Sequence, residues 1–257
     1  MIDTKPMAHQ VAIHLRNITK RYHSAIAVNQ LNLEVPTGAI FGLLGPNGSG
    51  KSTTIKMMSG ILHPDEGDAS ILGISVHENA VAVKQIIGVV PESLALFEYL
   101  SIFEHMDLVR SLFAIGTRDF EERSAQLLRV LSLSADAGKL VREASYGTKK
   151  KTALAMALLP NPRVLILDEP LEGLDPVMVV NVKRALRSAV SRDMTVFLTT
   201  HLLATADDLI THYGIVRQGC LVAQGTTREL TSKGITLEEE YLRHFEDAAP
   251  GELTWLG

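Results

Sequence analysis

The stretch with the most chemical potential is Gly45-Pro46-Asn47-Gly48-Ser49-Gly50-Lys51-Ser52-Thr53, which fits G-x-x-x-x-G-K-[ST] with Gly45 and Gly50 as its glycines. Glycines let the backbone curl until several N–H groups point at one phosphate chain. In such a curl Lys51 would reach the β- and γ-phosphates, and the Ser52 hydroxyl would ligate Mg²⁺. A helix starting near Ser52 would aim its positive end at the same phosphates. The preceding Ala39-Ile40-Phe41-Gly42-Leu43-Leu44 reads as a buried strand, which supplies the strand–loop–helix context such a loop needs. The plain alternative is a Gly-rich turn without a ligand.

A second group of candidates is Val164-Leu165-Ile166-Leu167-Asp168-Glu169-Pro170, four strand residues followed by two acids. An acid at the carboxyl end of a central parallel strand faces the crevice where ligands bind. Asp168 would hold Mg²⁺ through water alongside Ser52, and Glu169 would polarise an attacking water. The competing reading is a solvated acidic turn. Met194 to Leu198 forms a third strand and ends in Thr199-Thr200-His201. If that strand neighbours the Asp168 strand, His201 lies at the same sheet edge and would bond the γ-phosphate and the attacking water. The other eight histidines are scattered and read as solvated, and no His/Cys spacing suggests structural zinc. Ser145 and Gly147 precede a helix expected near Lys149, with Ser145 as its cap, a second anion-seeking helix start or else an ordinary N-cap. Lys149-Lys150-Lys151 reads as a solvated turn of that helix.

The elements that position these residues follow from periodicity. Val11 to Leu15 and Leu31 to Val35 alternate as half-exposed antiparallel strands, with Tyr22 between them. The loop helix runs to about Met58, and Pro64-Asp65-Glu66-Gly67 reads as a turn. Ala69 to Leu72 is a short strand, Val81 to Gln85 a helix, and Ile86 to Val90 a core strand stopped by Pro91. From Glu92 to Pro160 the pattern is helical, with an apolar face from Leu127, Val130 and Leu131. Strands return at Val164–Leu167, Met194–Leu198, Tyr213–Val216 and Cys220–Ala223, with a helix from Val177 to Ala189. Alternating strands and helices imply a mainly parallel wound α/β sheet with a helical lobe inserted between its halves.

Composition narrows the options. The 257 residues are 46% hydrophobic and 21% charged, with a net charge of −4 and no arginine-rich tail, which gives a nucleic-acid partner no electrostatic support. The single Cys220 suits a reducing compartment. Met1 to Gln10 lacks the apolar core of a signal peptide, and Val35 to Gly50, the longest uncharged stretch, is broken by prolines and glycines. A role at a membrane would need another chain to cross it.

Taken together and in order, these segments resemble the ATPase subunit of an ATP-binding-cassette (ABC) transporter over roughly residues 11 to 230. Tyr22 matches the aromatic residue that stacks on adenine, and Gly45 to Thr53 matches Walker A. Glu92 sits where the family has the Q-loop glutamine. Ser145 and Gly147 match the signature L-S-G-G-Q, Asp168 and Glu169 match Walker B and the catalytic glutamate, Gly173-Leu174-Asp175 matches the D-loop, and His201 the switch histidine. The resemblance implies a P-loop NTPase (RecA-like) fold with an N-terminal antiparallel β-subdomain. The cassette would span 11–235, with a core of 11–91 and 160–235, a helical subdomain of 92–159, and a helical tail over 236–257. It also implies ATP and Mg²⁺ as ligands, with Ser52, Glu92 and Asp168 on the metal. Two such subunits, as a homodimer, would close head to tail on two ATP molecules, each ATP held by one chain's Walker A and the other's signature. Closure would move a separate integral membrane permease from its cytoplasmic face, the groove for it formed by the helical lobe and the Glu92 segment.

The sequence departs from the family at Glu92 for Gln, Ala144 for Leu, Tyr146 for Gly and Thr148 for Gln. Glu92 loses an amide donor and adds charge, and Tyr146 places a ring where close packing is usual. An exporter-type branch looks similar here, with Ser-x-Gly followed by basic residues and with Glu in the Q-loop. Its tail resembles Thr236-Leu237-Glu238-Glu239-Glu240-Tyr241-Leu242. A soluble non-transport cassette ATPase, or a regulatory nucleotide-binding module that hydrolyses poorly, stands as the alternative.

Overall fold

Two long strands open the chain because their alternating apolar residues bury one face. These are β1 (Val11–Tyr22) and β2 (Ala25–Pro36), paired antiparallel with Leu15 opposite Leu33 and Ile18 opposite Leu31. The computed structural model describes residues 11–23 and 25–245. Next come β3 (Ile40–Leu44), α1 (Lys51–Met58), β4 (Glu66–Ile71), β5 (Ile74–Ser75), α2 (Ala80–Ile86) and β6 (Ile87–Val90). Three helices intervene, α3 (Ile102–Leu112), α4 (Thr117–Val130) and α5 (Tyr146–Leu158). The chain then returns to the sheet with β7 (Val164–Asp168), α6 (Pro176–Val190), β8 (Thr195–Thr200), α7 (Leu203–Ala206), β9 (His212–Arg217) and β10 (Cys220–Thr226). It ends its described part with α8 (Thr227–Ser232) and α9 (Leu237–Arg243). Of the helical tail expected over 236–257, the described residues hold only the short α9, and residues 246–257 lie outside the described residues.

Among the described residues the strands form an antiparallel sheet ordered β2-β1-β4-β5 and a larger sheet ordered β10-β9-β3-β8-β7-β6. In the second, β9, β3, β8, β7 and β6 run parallel, and β10 is an antiparallel edge. Both faces of its central strands are covered, so successive residues feed different cores. Leu165, Leu167, Val196 and Leu198 join a cluster with the helices α3, α5 and α6. Ile166, Phe197, Phe41 and Leu43 join a cluster with α1 and the antiparallel sheet. There Phe41 and Phe197 stack with ring centroids 5.5 Å apart.

Several expectations need correction. Glu66 and Gly67 lie in β4 rather than a turn, because Glu66 pairs with Thr19 across the sheet and its carboxylate sits 2.8 Å from Arg21. Tertiary strand pairing here overrides local turn chemistry. Val130 is exposed, since Leu127 and Leu131, four residues apart, occupy the buried stripe and leave it at the margin. The histidines are not uniformly solvated. His105 is fully buried, accepting from Phe97 N at 3.0 Å and with Nδ1 2.8 Å from the Ser101 carbonyl, so both its polar ends are satisfied by backbone. His63 and His77 lie ring to ring at 4.7 Å. Among the described residues no helix is long and apolar enough to cross a membrane.

Phe197 is fully buried at the centre of the parallel sheet. Phe197→Ala is therefore expected to destabilise the fold by about 3–5 kcal/mol. Val81→Ala, at an exposed site on α2, should stay within about 0.5 kcal/mol. Urea unfolding of both variants checks the contrast, and equal midpoints would refute it.

Candidate active site

The site is assembled by strand register. Leu44 lies opposite Thr200 and Asp168 opposite Thr199, so β3, β7 and β8 end at one edge of the sheet. Gly45, Glu169 and His201 each follow directly from one of these strand ends. The loop after β3 is tied down on both sides. Ser49 N donates to the Pro46 carbonyl at 3.2 Å, Gly219 N to the Ser49 carbonyl at 3.1 Å, and Asn29 N to the Gly219 carbonyl at 2.9 Å. Gly50 has φ of 104° and packs against the Ala27 carbonyl, where a Cβ would collide. No other residue type suits both that backbone and that contact.

The loop is built to receive something polar. Gly50 ends it at the start of α1, and no side chain caps that helix. The Ser49 hydroxyl is buried without a hydrogen-bond partner. Uncapped N–H groups at a helix start and an orphaned buried hydroxyl fit a polyphosphate. Lys51 is buried and donates from Nζ to the carbonyls of Gly45 at 2.7 Å and Pro46 at 3.2 Å. Its Nζ also lies 3.9 Å from Glu169 Oε1. Burial pushes the Lys51 pKa down, opposed by the negative charges of Glu169, Asp168 and Glu92.

At the ends of β7 and β8, Asp168 and Glu169 are both buried. The Thr199 hydroxyl donates to Asp168 Oδ1. Glu169 takes a left-handed backbone with φ of 48°, which costs about 1–3 kcal/mol outside glycine. Its N–H donates to the Thr199 carbonyl and lies within reach of the Thr199 hydroxyl, both at 3.2 Å. Its Oε1 is 2.9 Å from His201 Nδ1, and its Oε2 accepts from His201 N at 3.3 Å. The left-handed turn thus aims the carboxylate back at the neighbouring strand end.

A cavity of about 460 Å³ gathers most of the candidates. Tyr22, Asn47, Gly48, Ser49, Gly50, Lys51, Ser52, Thr53, Glu92, Glu169 and His201 line it. Gly45 and Pro46 contribute the carbonyls that hold Lys51. Asp168, buried against the Thr199 hydroxyl, is not among the lining residues, and Ser145, Gly147 and Asp175 are not brought to the cavity. Ser145 caps α5, accepting from Thr148 N at 3.2 Å, and α5 begins at Tyr146, earlier than the Lys149 expected from the sequence. Asp175 is exposed and caps α6, accepting from Met178 N at 3.0 Å. The oxygens of Ser52, Asp168 and Glu92 are the hard donors that suit Mg²⁺. Among the described residues no three carboxylate, imidazole or thiolate groups come together to hold a metal alone. A cation here would complete its shell with phosphate oxygens and water, as Mg²⁺ does.

Two residues escaped the sequence reading. Glu172 lines the cavity. Lys150, expected to be solvated, is buried instead, with its ammonium bonded to the Glu169 and Glu172 carbonyls. Its place in a triple-lysine run concealed it, since only its position on α5 distinguishes it from Lys149 and Lys151. The ring of Tyr146 is also accommodated. It packs on Gly173, where a Cβ would sit 2.7 Å from Cε1, and Gly173 has φ of 72°.

Residues 28–172, more than half the chain, match the family described as ABC transporter. The chain is 36% identical over 223 residues to a Nod factor export ATP-binding protein I of Burkholderia orbicola, covering 87% of this chain and 73% of that one. It is 37% identical over 222 residues to the daunorubicin resistance ATP-binding protein DrrA3 of Streptomyces coeruleorubidus, covering 86% and 70%. The solved structure of an ATP-binding subunit of an ABC transporter superposes with a TM-score of 0.84 at 28% identity, covering 90% of this chain and 98% of that chain. A dimeric bacterial ABC transporter cassette shares the fold, with a TM-score of 0.78 at 23% identity over 84% of this chain and 99% of that one. With a phosphate-seeking loop, a buried acid pair and a histidine at one sheet edge, the chain belongs to the ABC transporter family, as an ATP-binding and ATP-hydrolysing subunit.

Proposed function

We propose that two copies of this chain close head to tail on two Mg-ATP molecules and drive a separate membrane permease that exports its substrate, from the cytoplasmic side of the membrane. The observation that carries this is the separation of two phosphate-seeking elements. Ser145 and Gly147 stand at the start of α5 and do not line the cavity of Gly45–Thr53. A partner chain would supply the missing half to each site.

Within one site the roles follow from chemistry. Tyr22, at the end of β1 and 43% exposed on the cavity, offers its ring to adenine. Lys51 binds the β- and γ-phosphate oxygens through charge-assisted bonds. Ser52, Asp168 and Glu92 would hold Mg²⁺, which when bound neutralises charge on the transferring phosphate. Glu169 accepts a proton from the attacking water as its oxygen bonds the γ-phosphorus and the bond to ADP breaks. His201, held through Nδ1 by Glu169, keeps Nε2 for the γ-phosphate or the water. Phosphate oxygens would compete with Glu169 for Lys51, so nucleotide entry frees the carboxylate for water. Asp175 fixes the D-loop by capping α6 at the dimer face.

The surface for the permease is supported by apolar side chains after Glu92, where Phe97 is 60% and Tyr99 73% exposed. Single exposed apolar residues are ordinary, but neighbouring large ones mark interaction surfaces. Export is supported by the names of the relatives, by Lys149–Lys151 after Ser-x-Gly, by Glu92, and by α9 behind its Thr236 capping box.

Three measurements test this reading. Glu169→Gln is expected to bind ATP but to lose about 10²-fold or more in turnover and to accumulate an ATP-bound dimer; parental turnover would reduce Glu169 to a structural part. Lys51→Ala and Ser145→Arg should each spoil both composite sites, whereas a mixed dimer carries both lesions in one site and leaves the other intact. Recovered ATP capture in verified mixed dimers is the expected result, and none would mean that both elements act within one chain. Tyr99→Asp should keep ATP affinity and lose co-purification with membrane protein; undiminished co-purification would remove this surface.

A further inference from the structure

Lys150 is 3% exposed on the side of α5 that faces the catalytic loop. Its Nζ donates to the Glu169 carbonyl and, at 2.8 Å, to the Glu172 carbonyl. The same ammonium lies 5.5 Å from the centroid of the Tyr146 ring, within the range of a cation–π contact. The two carbonyls belong to one turn, closed by Glu172 N donating to the Glu169 carbonyl at 3.3 Å. Glu169 begins that turn with its left-handed backbone.

A buried ammonium is an expensive way to fill space. Desolvation lowers the Lys150 pKa, and Glu172, Glu169, Glu92 and Asp168 act against that shift. Its neighbours on α5, Ala153 and Leu154, are buried without any charge, so an apolar side chain would serve packing alone. The ammonium instead supplies donors to backbone carbonyls that helix and sheet do not pair.

We propose that Lys150 is a positioning residue for hydrolysis, clasping both ends of the Glu169–Glu172 turn and so holding the Glu169 carboxylate in register with α5. The helix whose start carries Ser145 and Gly147 is then linked through one side chain to the base of the same chain. A displacement of α5 is transmitted to Glu169 without passing through the nucleotide. This rests on Glu169 being the general base, and the test separates the two claims.

Lys150→Met keeps the apolar stem of the side chain, ending one atom short of the ammonium, and removes the donors. In the full chain, steady-state hydrolysis should show kcat lowered about tenfold, with KM for ATP changed by no more than about twofold, the pattern of a group acting on the transition state. The decisive readout is the same substitution in Glu169→Gln, followed by single-turnover hydrolysis. If Lys150 acts through Glu169, the residual rate should change by less than about twofold, because effects through one group do not add. A merely structural role lowers the rate by the same factor in both backgrounds and overturns the proposal. So does parental kcat in Lys150→Met, or a raised KM with kcat intact. Should Lys150→Met fail to fold, Lys150→Gln takes its place, since its shorter amide cannot span both carbonyls, and the same outcomes apply. Parental turnover in Glu169→Gln alone would remove the base and the Lys150 proposal with it; a dead Glu169→Gln beside a fully active Lys150→Met removes only the latter.

Discussion

The parallel pairing of β3, β8 and β7 is the constraint on which the site depends. Residue-to-residue register, with Leu44 against Thr200 and Asp168 against Thr199, brings three distant sequence segments to one edge. A slip of one residue would turn every side chain to the opposite face. It would carry Leu165 and Leu167 out of the helix-covered core and Ile166 out of the other. The two cores thus guard the register, and the register places the polar groups. Energy for precision at the active site comes from apolar contacts on both faces of the sheet, not from the polar groups themselves.

Those polar groups are strained and crowded with negative charge. Asp168, Glu169 and Glu92 all act on Lys51, and Glu172 also lines the cavity. A triphosphate entering such a cavity meets repulsion from the carboxylates. Attraction has to come from N–H groups of the loop, the positive end of α1 and Lys51. Glutamate rather than glutamine at position 92 adds to that burden. The left-handed Glu169 is the other cost. It is supported from two directions, by Thr199 on the next strand and by Lys150 from the helical region.

How much of this was readable beforehand depended on whether the signal was local. The strand–loop–helix around Gly45 and Ser52 is compact in sequence, and its glycines answer backbone demands that lie within a few residues. The strands ending in Asp168 and Thr200 announce themselves as apolar runs, and Ser145 as a cap is a one-turn signal. Strand order was legible only in outline, because adjacency of β7 and β8 depends on packing rather than on either segment. Lys150 was not legible. Three consecutive lysines look alike until helix phase decides which one meets the turn after β7. Glu66 and Gly67 misled for the converse reason, since a good turn tetrapeptide was drawn into a sheet by β1. His105 was hidden similarly, its partners being the backbone of Phe97 and Ser101.

The contact between Tyr146 and Gly173 has a consequence for how such sequences can drift. The ring occupies the space a side chain at 173 would need, and the φ of 72° at Gly173 already narrows the choice. The two positions therefore form a single unit of variation. A chain with glycine at 146 would have room for asparagine at 173, which tolerates the left-handed backbone, whereas a chain keeping tyrosine at 146 is held to glycine. Homologues should segregate into these pairings, with tyrosine opposite a larger residue the missing combination. In this protein the aromatic ring and the glycine beneath it tie the start of α5 to the loop before α6, so that neither can change without the other.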